Sequence, residues 1–506
     1  MTEKASTRYV IAGGGTAGWM SAAALSRFAP PGASITLVES DAIGTVGVGE
    51  ATIPQIHLFN GALGIDEAEF LRETRGSFKL GIEFDGWRRE GEAYMHAFGD
   101  IGRPLGLLPF QHYWLRAKQA GFAKPLQRYS LNELAARTMR MHRGKTTQGR
   151  ELPYAYHFDA GLYAAFLRKF AEARGVRRVE GKIGAVEQAA DSGDITGLTL
   201  ESGELIEGDF FIDCTGFRGL LIEGALEAGF DDWSNFLPCN RAMAVPCEGG
   251  GDFTPYTKAI AREAGWQWRI PLQHRIGNGL VYCNDFLSDE EASETLLANL
   301  DGKRQADPRP IRFTTGKRRA HWKNNCLAVG LSAGFMEPME STSIHMIQSA
   351  ISRFMAVMPQ AGGKAEQATK DWFNHQSTFE WERIRDFLVL HYTANEREGQ
   401  PFWDHVRTME LPATLTAKLE QWKASGFIHR EHEELFTEVG WFQVFAGQGV
   451  EAGGYNPIAD AISEDDLRAL LDETEMSLIE QVKPMPRHLD FLQNYVNGTA
   501  RSEVPA

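Results

Sequence analysis

A chain of 506 residues is too long for one core and suggests about two to four domains, or one large composite, at roughly 100–200 residues each. Hydrophobic residues at 43% and charged residues at 24% are ordinary for a globular enzyme, and a net charge of −15 with no basic block excludes nucleic acid as a partner. Five cysteines without CxxC spacing exclude a disulfide frame or a zinc site, and with no leader before Tyr9 and no apolar run near the ~18–20 residues that span a bilayer, a cytoplasmic chain without membrane or metal is expected.

Tyr9-Val10-Ile11-Ala12 reads as a short apolar strand, followed by Gly13-Gly14-Gly15-Thr16-Ala17-Gly18 and a helix to about Phe28. Gly13, Gly15 and Gly18 fit GxGxxG, whose glycines permit a tight turn and close approach of a pyrophosphate to the helix N-terminus. A second strand, Ile35 to Glu39, ends in an acid placed to accept from a ribose hydroxyl. Together these predict a Rossmann-type dinucleotide site, and glutamate admits either NAD or FAD. Val46 to Pro54 is a second glycine-rich turn, where an extended cofactor would continue.

Phe78 to Phe84 alternates as a half-buried strand, with Lys79, Gly81 and Glu83 on the face opposite Phe78, Leu80, Ile82 and Phe84. A lysine there is expected as a solvated edge residue, with open space beside it at Gly81. Met95 to Gly99 sets His96 and Phe98 two apart, either as half of an aromatic clamp or as a packed loop. Residues 160–174 predict an amphipathic helix with Leu162, Phe166, Leu167 and Phe170 inward. Val179 to Val186 is strand-like, and the region from Thr199 to Phe211 looks like a hairpin. Residues 205–216 read as a buried strand ending in a tight turn at Thr215-Gly216. Gly265 to Pro271 places Trp266, Trp268 and Ile270 on one strand face.

A strand-like run from Cys326 to Gly330 leads into Glu337-Pro338-Met339-Glu340-Ser341-Thr342-Ser343-Ile344. The helix that follows repeats Ile344, Ile347, Ile351 and Met355 at helical spacing, and Ser341, Thr342 and Ser343 are N-cap types. The backbone N–H groups of its first turn, near Thr342 and Ser343, suit an anion, and Glu340 stands just before them. From Lys364 the chain turns helical and aromatic, broken at Pro401-Phe402-Trp403, Gly426-Phe427 and Gly440-Trp441-Phe442. His429-Arg430-Glu431-His432 lacks metal-ligand spacing and reads as solvated helix charge. Residues 464–496 predict two more helices, and the tail from Asn497 is polar. Nucleotide elements so far apart suit FAD in a discontinuous fold better than a compact NAD domain. With no second strand–GxGxxG–helix unit, reduced flavin has to come from elsewhere.

The segments GGGTAGW, GVGEATIP, FKLGIEF, HAF, FIDCTGF, GWQWRIP and GFMEPMESTS occur in the order seen in flavin-dependent halogenases of the tryptophan-halogenase type. The chain resembles that family over nearly its whole length. The resemblance implies an α/β fold like that of the FAD monooxygenases, with a discontinuous Rossmann-type FAD domain at 1–100, 150–220 and 310–360. Substrate or cap insertions would fill 101–149 and 221–309, and a mainly helical substrate region 361–506. It also implies that FADH2 from a separate flavin reductase, with O2 and chloride or bromide, gives hypohalous acid that reaches a lysine beside a small aromatic substrate. A homodimer is expected as the assembly.

Residue by residue, Lys79 matches the family lysine that hydrogen-bonds the hypohalous acid or forms a haloamine. Glu340 matches the glutamate that polarises the oxidant and removes the ring proton as a general base. Thr342 and Ser343 match the halide-binding positions, Ser343 standing where glycine is common. Gly13, Gly15, Thr16, Ala17, Gly18, Glu39, Ala51, Val186, Leu331 and Ile344 carry over as FAD contacts. The tryptophans of GWQWRIP resemble those that keep substrate off the flavin. His96 and Phe98 match the aromatic half of the substrate clamp, and Trp441-Phe442 stands near where enzymes acting on free tryptophan carry a Tyr-Tyr pair. An indole-like or other electron-rich ring is therefore expected. Two alternatives remain: an aromatic hydroxylase of the same fold, which would handle NAD(P)H itself and not need Lys79, and a non-catalytic flavin-binding protein, which would need neither Lys79 nor Glu340.

Overall fold

The computed structural model describes residues 6–43, 49–249 and 253–498. Val46 to Val48 of the second glycine-rich turn and the tail from residue 499 lie outside the described residues. The chain divides into two compact units, one of Met1–Gly76, Phe158–Ser234 and Phe313–Trp381, the other of Ser77–His157, Asn235–Arg312 and Glu382–Ala506.

The first unit is built on a six-stranded sheet in the order Trp322–Lys323, Cys326–Ala328, Phe210–Asp213, Arg8–Ala12, Ser34–Glu39, Arg177–Glu180. All neighbours run parallel except the first pair. Strands covered on both faces read as continuous apolar runs, and Tyr9 to Ala12 and Phe210 to Ile212 are indeed buried. The helix Thr16–Phe28 leaves the central strand directly.

Three readings change here. The run 205–216 is two strands, Leu205–Glu207 in a hairpin with Ile195–Leu200 and Phe210–Asp213 in the parallel sheet. They part at Gly208, where a Cβ would lie 2.7 Å from Val10 Cγ2, and Arg8 N–H holds Asp209 Oδ2 at 2.8 Å. Val179 to Val186 likewise breaks into Arg177–Glu180 and Ile183–Gln188 at Gly181, whose φ is 158°. In the helix Ala160–Glu172, Leu162 is exposed and Tyr163 is buried in its stead. Tyr163 can go inside because its hydroxyl donates to Asn60 Oδ1 at 2.9 Å.

The second unit holds a seven-stranded sheet: Pro310–Arg312, Arg241–Ala244, Ile276–Tyr282, Gly265–Pro271, Thr257–Arg262, Gly81–Asp85, Ala93–Ala97. It is antiparallel except between Thr257–Arg262 and Gly81–Asp85. Its C-terminal part is helical, with Pro401–Thr408, Ala413–Ser425, Glu438–Gly447, Glu464–Val482 and His488–Val496. Gly440-Trp441-Phe442 lies inside one of these helices and does not break it. The glycine in the first turn of that helix has a packing reason, since a Cβ there would lie 3.0 Å from His96 Nε2.

Phe78 to Phe84 is not one half-buried strand. Ser77–Lys79 pairs antiparallel with 155–157, and the chain changes partners at Leu80, whose N–H donates to Pro255 O at 2.7 Å and whose carbonyl accepts from Phe98 N at 2.9 Å. Both faces are covered. Lys79 is 0% exposed, so it is not a solvated edge residue. Nor does Gly81 leave open space, because a Cβ there would meet Ala97 Cα and His96 O at 2.8 Å. His96 belongs to the strand Ala93–Ala97 and not to a loop. No helix among the described residues is long and apolar enough to cross a membrane.

Candidate active site

In the first unit the glycine-rich turn connects the central strand to its helix. Gly13 has φ 105°, and a Cβ there would lie 2.2 Å from Cys214 O; one at Gly18 would lie 1.9 Å from Gly13 O. These two glycines serve the turn itself. Gly15 is different: its φ of −71° suits any residue, and nothing lies within 4 Å of where its Cβ would stand. That open ground adjoins a helix start with no side-chain cap, the arrangement that receives a diphosphate on free backbone N–H groups. The residues present therefore fit the pyrophosphate of FAD. Thr16 and Ala17 open the helix, and a Cβ at Gly330 (φ 73°) would come within 2.7 Å of Ala17 Cβ, which brings Leu331 to the same region. Glu39 ends its strand with Oε1 at 2.5 Å from Arg178 Nε and Oε2 at 3.4 Å from Trp19 Nε1. Ala51 and Ile344 are buried, and Val186 sits opposite Leu198 in a separate three-stranded sheet.

Glu340 closes the short 3-10 turn Pro338–Glu340 and is 1% exposed. Ser341 then takes φ 59°, a left-handed conformation that costs a non-glycine residue about 1 kcal/mol or more. The helix Ser343–Ala356 follows Thr342, whose own side chain makes no cap hydrogen bond. Thr342 has helical φ and ψ of −88° and −11°, and a capping hydroxyl needs extended backbone to reach the N–H two or three residues on. The first-turn N–H groups at Thr342 and Ser343 are thus left to another acceptor. Behind them, His345 Nε2 lies 3.0 Å from Glu380 Oε1, while Ser349 Oγ and Arg353 donate to Glu380 Oε2 at 2.7 and 2.9 Å. Burial raises the Glu380 carboxyl, but these bonds outweigh it and hold it at about 2. Neither His345 nor Glu380 was singled out in the sequence, because the two are 35 residues apart.

In the second unit the Lys79 ammonium lies 5.3 Å from the centroid of the Phe98 ring. His96, two residues earlier on the same chain face, packs against Phe387 at 5.4 Å and Phe436 at 6.0 Å, and those two phenyl rings stack at 3.8 Å. Trp441 is fully buried and meets Phe387 edge-on at 4.8 Å. His96 and Trp441 therefore share Phe387 as a neighbour. The aromatic run after Lys364 was the signal for that ring, but nothing local tied it to His96. In the GWQWRIP strand Trp266 and Trp268 share a face with centroids 6.2 Å apart, and Trp268 lies so flat on Gly279 that a Cβ there would meet its ring at 1.9 Å. Among the described residues no group of histidine, cysteine and carboxylate side chains could hold a metal.

A family model described as tryptophan halogenase matches residues 8–464. Among solved structures, Xcc4156, a flavin-dependent halogenase from Xanthomonas campestris, is 43% identical, covers 99% of this chain and 100% of its own, and superposes with a TM-score of 0.94. BrvH, a flavin-dependent halogenase from Brevundimonas sp. BAL3, is 40% identical over 97% of this chain and 100% of its own, with a TM-score of 0.93. Among relatives by sequence, the 7-chloro-L-tryptophan 6-halogenase KtzR of Kutzneria sp. (strain 744) is 39% identical over 82% of this chain and 84% of its own. A glycine cradle fitted to a diphosphate, a buried lysine and this breadth of match lead to one conclusion: the chain belongs to the tryptophan halogenase family and is a flavin-dependent halogenase that uses FAD and halide.

Proposed function

We propose that this enzyme halogenates an electron-rich, indole-like small molecule, with Lys79 handing on the halogen and Glu340 taking the ring proton. The observation that carries this reading is the complete burial of Lys79 against an aromatic ring. Taking an ammonium out of water costs several kcal/mol, so such a residue marks a site of function more often than of stability. His96, Phe387 and Trp441 form one aromatic cluster, with Phe98 two residues from His96, and the relatives named as tryptophan halogenases act on an indole ring.

Bound reduced FAD supplies the oxygen activation that turns halide into hypohalous acid. With a single dinucleotide fingerprint, the chain depends on a separate flavin reductase. The unit of Met1–Gly76, Phe158–Ser234 and Phe313–Trp381 serves as the flavin-binding one. The uncapped helix start at Thr342 and Ser343 holds the halide on backbone N–H groups, which discriminate little among small anions. Lys79 donates to the oxygen of the hypohalous acid. As the ring carbon bonds to the halogen, the O–X bond breaks and the leaving hydroxide takes the Lys79 proton as water. Glu340 accepts the ring proton, and proton exchange with water returns Glu340 and Lys79 to their starting states.

The test is a reaction with a flavin reductase, NADH, bromide and indole. Brominated indole is expected. Oxygenated indole would make the enzyme a hydroxylase, and peroxide alone would leave only a flavin carrier. Lys79→Ala is expected to abolish brominated indole while hypobromous acid is still released; undiminished product removes the role given to Lys79.

A further inference from the structure

Ser77, His157 and Thr257 form one hydrogen-bonded chain beside Lys79, and no motif contains all three. Residues 77 and 79 share a face of their strand, and the register sets Ser77 opposite His157 and Lys79 opposite Ala155. His157 is thus a diagonal neighbour of Lys79 on that face, at roughly 7–8 Å by sheet geometry. The other face is closed by rings, with Phe78 packed on Tyr154, Tyr156, Phe491 and Tyr495 at 5.4 to 6.2 Å.

Counting protons fixes the state of the imidazole. Ser77 Oγ has one proton and donates it to Pro271 O at 2.9 Å, so toward His157 Nδ1, at 3.1 Å, it can only accept. Nδ1 therefore carries the ring proton, and Nε2 accepts from Thr257 Oγ1 at 2.9 Å. Every polar atom of this chain is satisfied with the imidazole neutral. His157 is completely buried; burial first, and the Lys79 ammonium next, push its pKa well below the ordinary histidine value. Pro271 ends the GWQWRIP strand, and Thr257 opens the strand that runs parallel to Gly81–Asp85. The chain thus anchors the Lys79 strand to two neighbouring strand ends without placing an anion there.

We propose that His157 is a positioning residue for Lys79: as the Nδ1–H tautomer it cross-links the Lys79 strand to Thr257 and, through Ser77, to Pro271, and so holds the ammonium where the halogen is handed on. The inference rests on the reading of Lys79 given above.

Ser77→Ala, Thr257→Val, His157→Leu and His157→Asn are compared with Lys79→Ala in the flavin-loaded enzyme with reductase, NADH, bromide and indole. Two quantities are read, brominated indole and hypobromous acid trapped by a thiol probe. Loss of positioning lowers brominated indole about tenfold or more in Ser77→Ala, Thr257→Val and His157→Leu, with total oxidised bromide unchanged. His157→Asn, which keeps an N–H donor toward Ser77, recovers most of the product. A purely structural role lowers both quantities in proportion and leaves their ratio at the unsubstituted value, which overturns the inference. If His157→Leu fails to fold, the near-isosteric Ser77→Ala and Thr257→Val decide. Should Lys79→Ala lose product while these variants keep it, the inference falls and the reading of Lys79 stands. Should Lys79→Ala keep product, both fall together.

Discussion

Two buried lysines in the same unit each lie over an aromatic ring and differ in the neighbours described around them. Lys418 lies 4.6 Å over the Trp441 ring, and Lys79 lies 5.3 Å over the Phe98 ring. Lys418 is clamped by Glu434, whose two carboxylate oxygens stand at 3.1 and 3.0 Å, and it also donates to His429 O. Its charge is neutralised on the spot, and breaking such a pair leaves an uncompensated ion. Across the strand from Lys79 stand an alanine methyl and, diagonally, an imidazole held neutral. The ring contact is common to both; the Glu434 carboxylate fixes Lys418 in the fold, whereas the polar group diagonally across the strand pair from Lys79 is an imidazole held neutral.

The strongest way to break this comparison is at the lysines themselves. Lys79→Ala is expected to remove all brominated product while the enzyme still folds and consumes bromide. Glu340→Gln comes next, with a loss of about 10²-fold in rate if it takes the ring proton; a change confined to flavin affinity would make Glu340 structural. The Ser77–His157–Thr257 variants follow, at about tenfold in the fate of the oxidant. Glu434→Gln belongs at the other end: it should destabilise the fold by about 3–5 kcal/mol, seen as a lower Tm, and leave product per folded molecule nearly unchanged. If Glu434→Gln and Ser77→Ala shifted the product ratio alike, the distinction between the two lysines would be lost.

Acid sharpens the picture for the fold alone. Burial lowers His321 to about 3 and His488 to about 4 from an ordinary 6.5. Both stay neutral in the folded chain while the unfolded chain takes up protons below 6.5, so stability is lost as pH falls through this window. The Tm should decline steadily from pH 6.5 toward 4, and His488→Asn should flatten part of that decline. A Tm independent of pH over this range would contradict the burial of both rings.

How much of this was legible beforehand depended on the range of the interactions. The turn from Gly13 to Gly18 was readable because its glycines stand at a fixed spacing after a short strand: Gly18 avoids Gly13 O within the turn and Gly15 leaves room, although what Gly13 avoids, Cys214 O, comes from a distant part of the chain. The long helices were readable from their apolar spacing. The stretch from 78 to 84 was half readable. Alternation correctly separated Lys79 from Phe78, but it says nothing about what covers each face, and here both are covered.

The amino-acid sequence by itself determined the order of motifs, and with it the family, the nucleotide cradle and the candidate lysine, glutamate and halide turn. Only the tertiary structure decided that Lys79 is buried, that Phe387 is shared by His96 and Trp441, and that His157 meets Ser77 and Thr257 across 80 and 100 residues of chain. The reason is physical. Steric rules act over a few residues and leave a signature at each, whereas burial and hydrogen-bond partners are settled by whichever distant strands the sheet brings alongside.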